Sequence, residues 1–178
     1  MNNHMNEPIS TAQRHRVTWP TIRWVASDPG RLLMFGFGSG LIRPGSGTWG
    51  TLLAWLLWVA VAPGMPDLAL GLFILLSFAY GCWGCERVSR SLGVEDHVGI
   101  VWDEWVAFWL VLWLVPVGWM SQAMAFLLFR LFDTIKPPPI RQADAKFKGG
   151  VGVMLDDLLA AVYTLICMAV LVRLGFAA

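Results

Sequence analysis

Charge is what this chain has least of. Only 14% of its 178 residues are Asp, Glu, Lys or Arg, and 13 basic against 12 acidic side chains leave a formal net charge of +1. That near balance excludes a nucleic-acid partner, which needs a dense basic face. Cysteine is also scarce. Three thiols, Cys82, Cys85 and Cys167, all in or beside apolar runs, do not make a disulfide framework. Cys82-Trp83-Gly84-Cys85 has redox spacing, but no βαβ pattern surrounds it, so the pair reads as small packing residues. His97 is the one histidine beyond the N-terminal tail, which excludes mechanisms that need two imidazoles. Residues 1–29 are polar, carry Arg14, Arg16 and Arg23, and lack the apolar core of a secretory signal. They are expected to form a cytoplasmic tail or surface helix.

What the chain has instead is apolar surface. Hydrophobic residues make up 57%, mean hydropathy is +0.60 and there are 11 Trp, a composition expected in a bilayer rather than in an ordinary soluble domain. Residues 30–178 therefore read as a single membrane-embedded domain, an all-α polytopic helical bundle. The apolar runs Thr51 to Ala62, Leu68 to Cys85, Trp105 to Val117, Met120 to Leu131 and Leu158 to Leu174 give about five expected spans. Gly30 to Leu41 is too short and too glycine-rich to cross, and is expected to be re-entrant or interfacial. If each run crosses once, twelve of the thirteen Lys and Arg fall on one side and Arg173 alone on the other, which makes the richer side cytoplasmic.

Against this apolar background the few charges cluster. The first group, Asp96-His97-Val98-Gly99-Ile100-Val101-Trp102-Asp103-Glu104, sets three carboxylates and an imidazole at the entrance to an apolar run. Carboxylates there are costly to desolvate, so a chain that keeps them usually has a cation for them. In the second group Arg130 and Asp133 share a helix face, while Pro137 disfavours helical geometry at Lys136 and frees its ammonium to turn toward a ligand. The third group, Gly149 to Asp157, ends in adjacent Asp156 and Asp157, expected at a helix N-terminus where both converge on one cation. Gly45-Ser46-Gly47-Thr48-Trp49-Gly50 matches a dinucleotide fingerprint in spacing, but without a preceding strand it reads as a glycine turn. The backbone of such a turn, and Thr48 as a helix cap, suit an approaching phosphate.

Taken together these blocks resemble the signature blocks of the phosphatidylglycerophosphatase A family. They are Gly36-Phe37-Gly38-Ser39-Gly40-Leu41, Asp96-His97 with Ile100 to Glu104, Arg130 with Asp133 and Lys136-Pro137-x-Pro139-Ile140, and Gly149-Gly150 with Gly152 and Asp156-Asp157. The similarity runs from about Gly36 to Ala161. It implies an all-helical, Mg²⁺-dependent enzyme of the bacterial inner membrane that hydrolyses phosphatidylglycerophosphate to phosphatidylglycerol and phosphate. The glycine turn departs from the family pattern, with Ser46-Gly47-Thr48-Trp49-Gly50-Thr51 where Pro-Gly-Thr-x-Gly-Ser is usual.

Phosphomonoester chemistry needs metal to neutralise oxygens, a positioned water and positive charge for the transition state. The assignment expected here gives Asp103, Glu104, Asp133, Asp156 and Asp157 to metal and water, and Arg130 and Lys136 to phosphate. Gly47 and Thr48 are auxiliary donors. Asp96 and His97 either relay a proton to the leaving oxygen or support the metal ligands. No thiolate-phosphatase site is expected. The alternative from another class is a membrane cation or proton transporter, which would string its carboxylates along the midplane.

Overall fold

The computed structural model describes residues 19–176, and every regular element in them is helical. Most of the expected tail, residues 1–18, lies outside the described residues. The chain opens with two short helices, α1 (Ile22–Ala26) and α2 (Pro29–Met34), then a 3-10 segment (Gly36–Leu41). Longer helices follow: α3 (Ser46–Val61), α4 (Asp67–Leu92), α5 (Trp102–Leu114) and α6 (Trp119–Ile135). A short α7 (Ile140–Lys146) leads to the last, α8 (Gly149–Arg173).

Local chemistry explains the boundaries. Asp28 caps α2 by accepting the Arg31 N–H at 2.9 Å, with Pro29 in the first turn where its missing N–H costs nothing. Helix α4 stops at Gly93 in left-handed conformation, and the Val94 N–H turns back to the Ser89 carbonyl. Helix α5 ends just before Pro116.

Helix α8 is the hub and packs against α4, α5, α6 and α7. It meets α4 almost backbone to backbone: a β-carbon on Gly150 would stand 1.9 Å from the Cys82 carbonyl oxygen, so only glycine fits. Farther along α8, fully buried Ala160 and Ala161 keep its contact face small. Helix α5 supplies the aromatic core, with nine of its thirteen residues buried, among them Trp102, Trp105, Phe108 and Trp109. Two of its indoles are anchored through their polar ends. Trp102 Nε1 donates to the Ser77 carbonyl at 3.0 Å and Trp109 Nε1 to the Ala54 carbonyl at 2.9 Å.

The outer surface carries large exposed apolar side chains, including Leu68, Leu75 and Leu76 on α4, Leu127 on α6 and Ile166 on α8. By length and composition α4 and α8 are long and apolar enough to cross a membrane. Of the about five expected spans, these two have membrane length. The other three runs do form helices, but α3, α5 and α6 have 16, 13 and 17 residues. At 1.5 Å per residue α5 reaches only about 20 Å, against a hydrocarbon core of about 30 Å. Apolarity marks a run as buried or lipid-facing; helix length decides its reach. Gly30 to Leu41 forms no long helix, because Phe37 and Gly38 have positive φ and break it.

Most of the clustered charges lie inside the helices, while Asp96 and His97 stay in the loop before α5 and Lys136 caps α6. Trp102 to Glu104 start α5, Arg130 and Asp133 sit in the last turns of α6, and Asp156 and Asp157 lie about two turns into α8. That last position corrects the expected helix N-terminus. Gly149 and Gly150 act as packing residues that let α8 begin early against α4.

Candidate active site

The charges converge where α3 and α5 begin and α6 finishes. A cleft of about 560 Å³ is lined there by Asp96, Asp103, Glu104, Asp133, Asp156 and Asp157, with Arg43, Arg130 and Lys136. Six carboxylates against three cationic side chains give the lining a formal balance of −3.

Arg130 ties the two sides together. Its Nη1 contacts Glu104 Oε1 at 2.8 Å and Asp133 Oδ2 at 2.6 Å, and donates to Thr51 Oγ1 at 3.4 Å. Thr51, fully buried, in turn donates to the Gly47 carbonyl at 2.8 Å. Glycine leaves room at position 47, because a β-carbon there would lie 1.8 Å from Glu104 Oε1 and 2.6 Å from Arg130 Nη2 and would displace the pair. The glycine turn thus makes room for the ion pair.

Lys136 ends α6 with φ 46, a left-handed conformation that costs a non-glycine residue about 1 kcal/mol or more. Pro137 disfavours the alternative helical one, and the turn carries Lys136 Nζ back onto Asp156 Oδ2. The Asp157 N–H donates to Asp156 Oδ1 at 3.1 Å.

Three carboxylate oxygens in this region are buried without a hydrogen-bond partner: Asp103 Oδ1, Glu104 Oε2 and Asp157 Oδ2. Burying an ionised carboxylate oxygen uncompensated is costly, so a group that brings positive charge is the natural complement. Among the described residues no three His, Cys, Asp or Glu side chains are already drawn into one metal shell. The oxygens fit a hydrated cation better than a tight protein cage, because Mg²⁺ keeps several waters and takes one or two carboxylates.

Of the expected residues, the structure gathers Asp96, Asp103, Glu104, Asp133, Asp156, Asp157, Arg130, Lys136 and Gly47 around one cleft. It does not bring in two others. Thr48 is exposed and outside the cleft lining. His97 is buried in the protein, 1% exposed, between the rings of Trp19 and Phe35, and its Nδ1 accepts the Gly99 N–H at 3.0 Å. Thr51 and Arg43 were not legible as site residues; the signal for Arg43 was a cation beside the glycine turn. Cys167 and Arg173 do stand at thiolate-phosphatase spacing, contrary to expectation, but both belong to the regular helix α8 and neither lines the cleft.

Fold and site together define an all-helical apolar protein with membrane-length helices and an acidic cleft braced by cations. A family model described as Phosphatidylglycerophosphatase A matches residues 32–172. A phosphatidylglycerophosphatase A of Haemophilus influenzae is 44% identical over 140 residues, covering 78% of this chain and 86% of the relative. One of Escherichia coli is 39% identical over 137 residues, covering 76% and 79%. A Bacteroides thetaiotaomicron protein, provisionally named a phosphatidylinositol-3-phosphatase, is 42% identical over 147 residues, covering 78% and 91%. The chain belongs to the phosphatidylglycerophosphatase A family. No solved structure matches it.

Proposed function

We propose that this chain is a Mg²⁺-dependent lipid phosphatase that hydrolyses phosphatidylglycerophosphate to phosphatidylglycerol and inorganic phosphate. The observation that carries the reading is the sign of the cleft. A lining of six carboxylates and three cations repels a phosphomonoester dianion unless a further cation reverses the local field. The buried, unpartnered oxygens of Asp103, Glu104 and Asp157 are the ones such a cation would neutralise. Asp103, Glu104, Asp133, Asp156 and Asp157 would hold Mg²⁺. When bound, it neutralises phosphate oxygens and acts as a Lewis acid.

The chain's own residues do the rest. Arg130, fixed by Glu104 and Asp133, presents a guanidinium to the transferring phosphoryl group. Lys136 shares its ammonium between Asp156 and a phosphate oxygen. A cleft carboxylate orients water for attack on phosphorus; the bond to the glycerol oxygen breaks, and that oxygen takes a proton. Asp96, on the cleft lining, is the residue we assign to supply the proton, with His97 supporting its loop from behind.

We infer further that residues 30–178 form one catalytic domain in the bacterial inner membrane, with α3, α5 and α6 crossing beside α4 and α8 where the bilayer thins around them. The Lys and Arg distribution supports a cytoplasmic cleft. A cation or proton transporter would need carboxylates spread along a path, and the single braced cleft supports the enzyme instead. The test is phosphate release by the purified protein from phosphatidylglycerophosphate, phosphatidic acid, phosphatidylinositol 3-phosphate and a soluble phosphomonoester, with and without Mg²⁺. Mg²⁺-dependent turnover fastest on the first is expected. Equal turnover of all four, or none without an accompanying ion flux in vesicles, would overturn the substrate assignment; flux without phosphate release would favour the transporter.

A further inference from the structure

We propose that Arg43, stacked on Trp19, is a second anion subsite at the mouth of the cleft and binds the bridging phosphodiester of the lipid whose terminal phosphate is removed. The proposal rests on the substrate reading above and adds a specificity determinant to it.

The three cations of the cleft are not equivalent. Arg130 is shared between Glu104 and Asp133, and Lys136 lies on Asp156. Arg43 is in no ion pair among the described residues. It is held by an aromatic ring: its guanidinium carbon lies 3.6 Å from the centroid of the Trp19 ring. Trp19 is itself placed edge-to-face on buried His97, with centroids 5.3 Å apart. Stacking occupies the flat face of the guanidinium and leaves its five in-plane N–H donors available. A fixed cation with an open fork suits bidentate contact with a phosphate and has no carboxylate to displace first.

Depth separates the two subsites. The Arg130 side chain is 17% exposed, whereas Arg43 is an exposed residue on the rim. Phosphatidylglycerophosphate carries two phosphates joined through one glycerol. The terminal monoester must reach the carboxylates and Arg130, so the bridging diester, one glycerol behind, comes toward the mouth. A diester with a single negative charge needs a cation there and no metal. Phosphatidic acid has only the monoester, and gains nothing from Arg43 once its phosphate is deep in the cleft.

The test uses the full chain in neutral detergent micelles, where no anionic bilayer can attract a surface arginine. Wild type, Arg43→Gln, Arg43→Lys and Trp19→Leu are compared on phosphatidylglycerophosphate and phosphatidic acid, with the inhibition constant of phosphatidic acid read where it is not turned over. Arg43→Gln is expected to raise KM for phosphatidylglycerophosphate about tenfold with kcat within about twofold, and to leave phosphatidic acid unchanged. Arg43→Lys should fall between, since it keeps charge and loses the fork, and Trp19→Leu should shift KM in the same direction. An unchanged KM in Arg43→Gln, or an equal loss on both lipids, overturns the subsite while leaving the phosphatase reading intact. A wild type that releases no phosphate from phosphatidylglycerophosphate overturns both.

Discussion

Lys136, the cap of α6, and Asp156 on α8 lie twenty residues apart and meet because that cap is a left-handed residue held before a proline. The contact joins the second charged block to the third and keeps a cation over the cleft. Removing the ammonium should therefore cost transition-state binding more than folding. Lys136→Ala is expected to lower kcat/KM for the phospholipid at least about tenfold, or about 1.4 kcal/mol, while Mg²⁺ binding survives. Steady-state kinetics and metal titration on the same preparation check it; a variant with wild-type kcat/KM would remove Lys136 from the site.

A metal reading makes a sharper demand on Asp103 and Asp157. Substituting Asn keeps shape and deletes charge at two of the buried, unpartnered oxygens. Asp103→Asn and Asp157→Asn should each lose nearly all turnover at saturating Mg²⁺ with the thermal midpoint held or raised, since an uncompensated buried charge is removed. Asp67→Asn, at the exposed start of α4, should keep its activity. Substantial turnover in both cleft variants would show that the carboxylates are structural.

The four blocks and the all-helical class could be read from the chain because they depend on residue type and order. Side-chain direction could not. Asp96 and His97 are neighbours, yet the first lines the cleft and the second packs between Trp19 and Phe35. Thr48 and Thr51 sit in the same turn, and the inward one is Thr51, selected by the Gly47 carbonyl and Arg130 rather than by anything local. Asp156 and Asp157 read as a helix N-terminus; the close approach of Gly150 to the Cys82 carbonyl lets α8 begin about two turns earlier. In each case tertiary packing decides what spacing leaves open.

Gly47 tests that packing directly. A methyl group at 1.8 Å from Glu104 Oε1 must push the Glu104–Arg130 pair aside, and overpacking of this kind costs roughly 1–3 kcal/mol. Gly47→Ala is expected to lower the thermal midpoint and to reduce kcat, because the displaced guanidinium is one we assign to phosphate. Gly118→Ala, where the nearest atom would be 4.0 Å away, serves as the control and should be close to neutral. If Gly47→Ala behaved like Gly118→Ala, the steric account of the glycine turn would fail.

Orientation can be read with single cysteines in a background where Cys82, Cys85 and Cys167 are alanine. Ser91, Gln142 and Asp67 are all exposed, so accessibility rather than burial decides the labelling. Cysteines at Ser91 and Gln142 should be shielded from an impermeant thiol reagent in intact cells, and one at Asp67 labelled. The opposite pattern would turn the cleft to the outer face.

The last prediction concerns the clasp between the N-terminal segment and α4. Arg87 donates to both Asp28 oxygens, at 3.1 and 2.7 Å, while Asp28 also caps α2. The Arg87 guanidinium, and after it the Arg31 backbone N–H, hold the Asp28 carboxyl well below the usual carboxylate range. A carboxyl depressed on folding contributes stability that is fully present above its unfolded pKa, about 3.9, and is lost as pH falls through the folded value. Asp28→Asn should therefore melt below wild type by a constant margin from about pH 8 to pH 5 and by a shrinking one in stronger acid. The clasp touches none of the cleft, so kcat at neutral pH should hold. Thermal melts of both proteins across that range decide the matter: a margin that widens as the acid strengthens would mean that Asp28 is not the charged partner of Arg87.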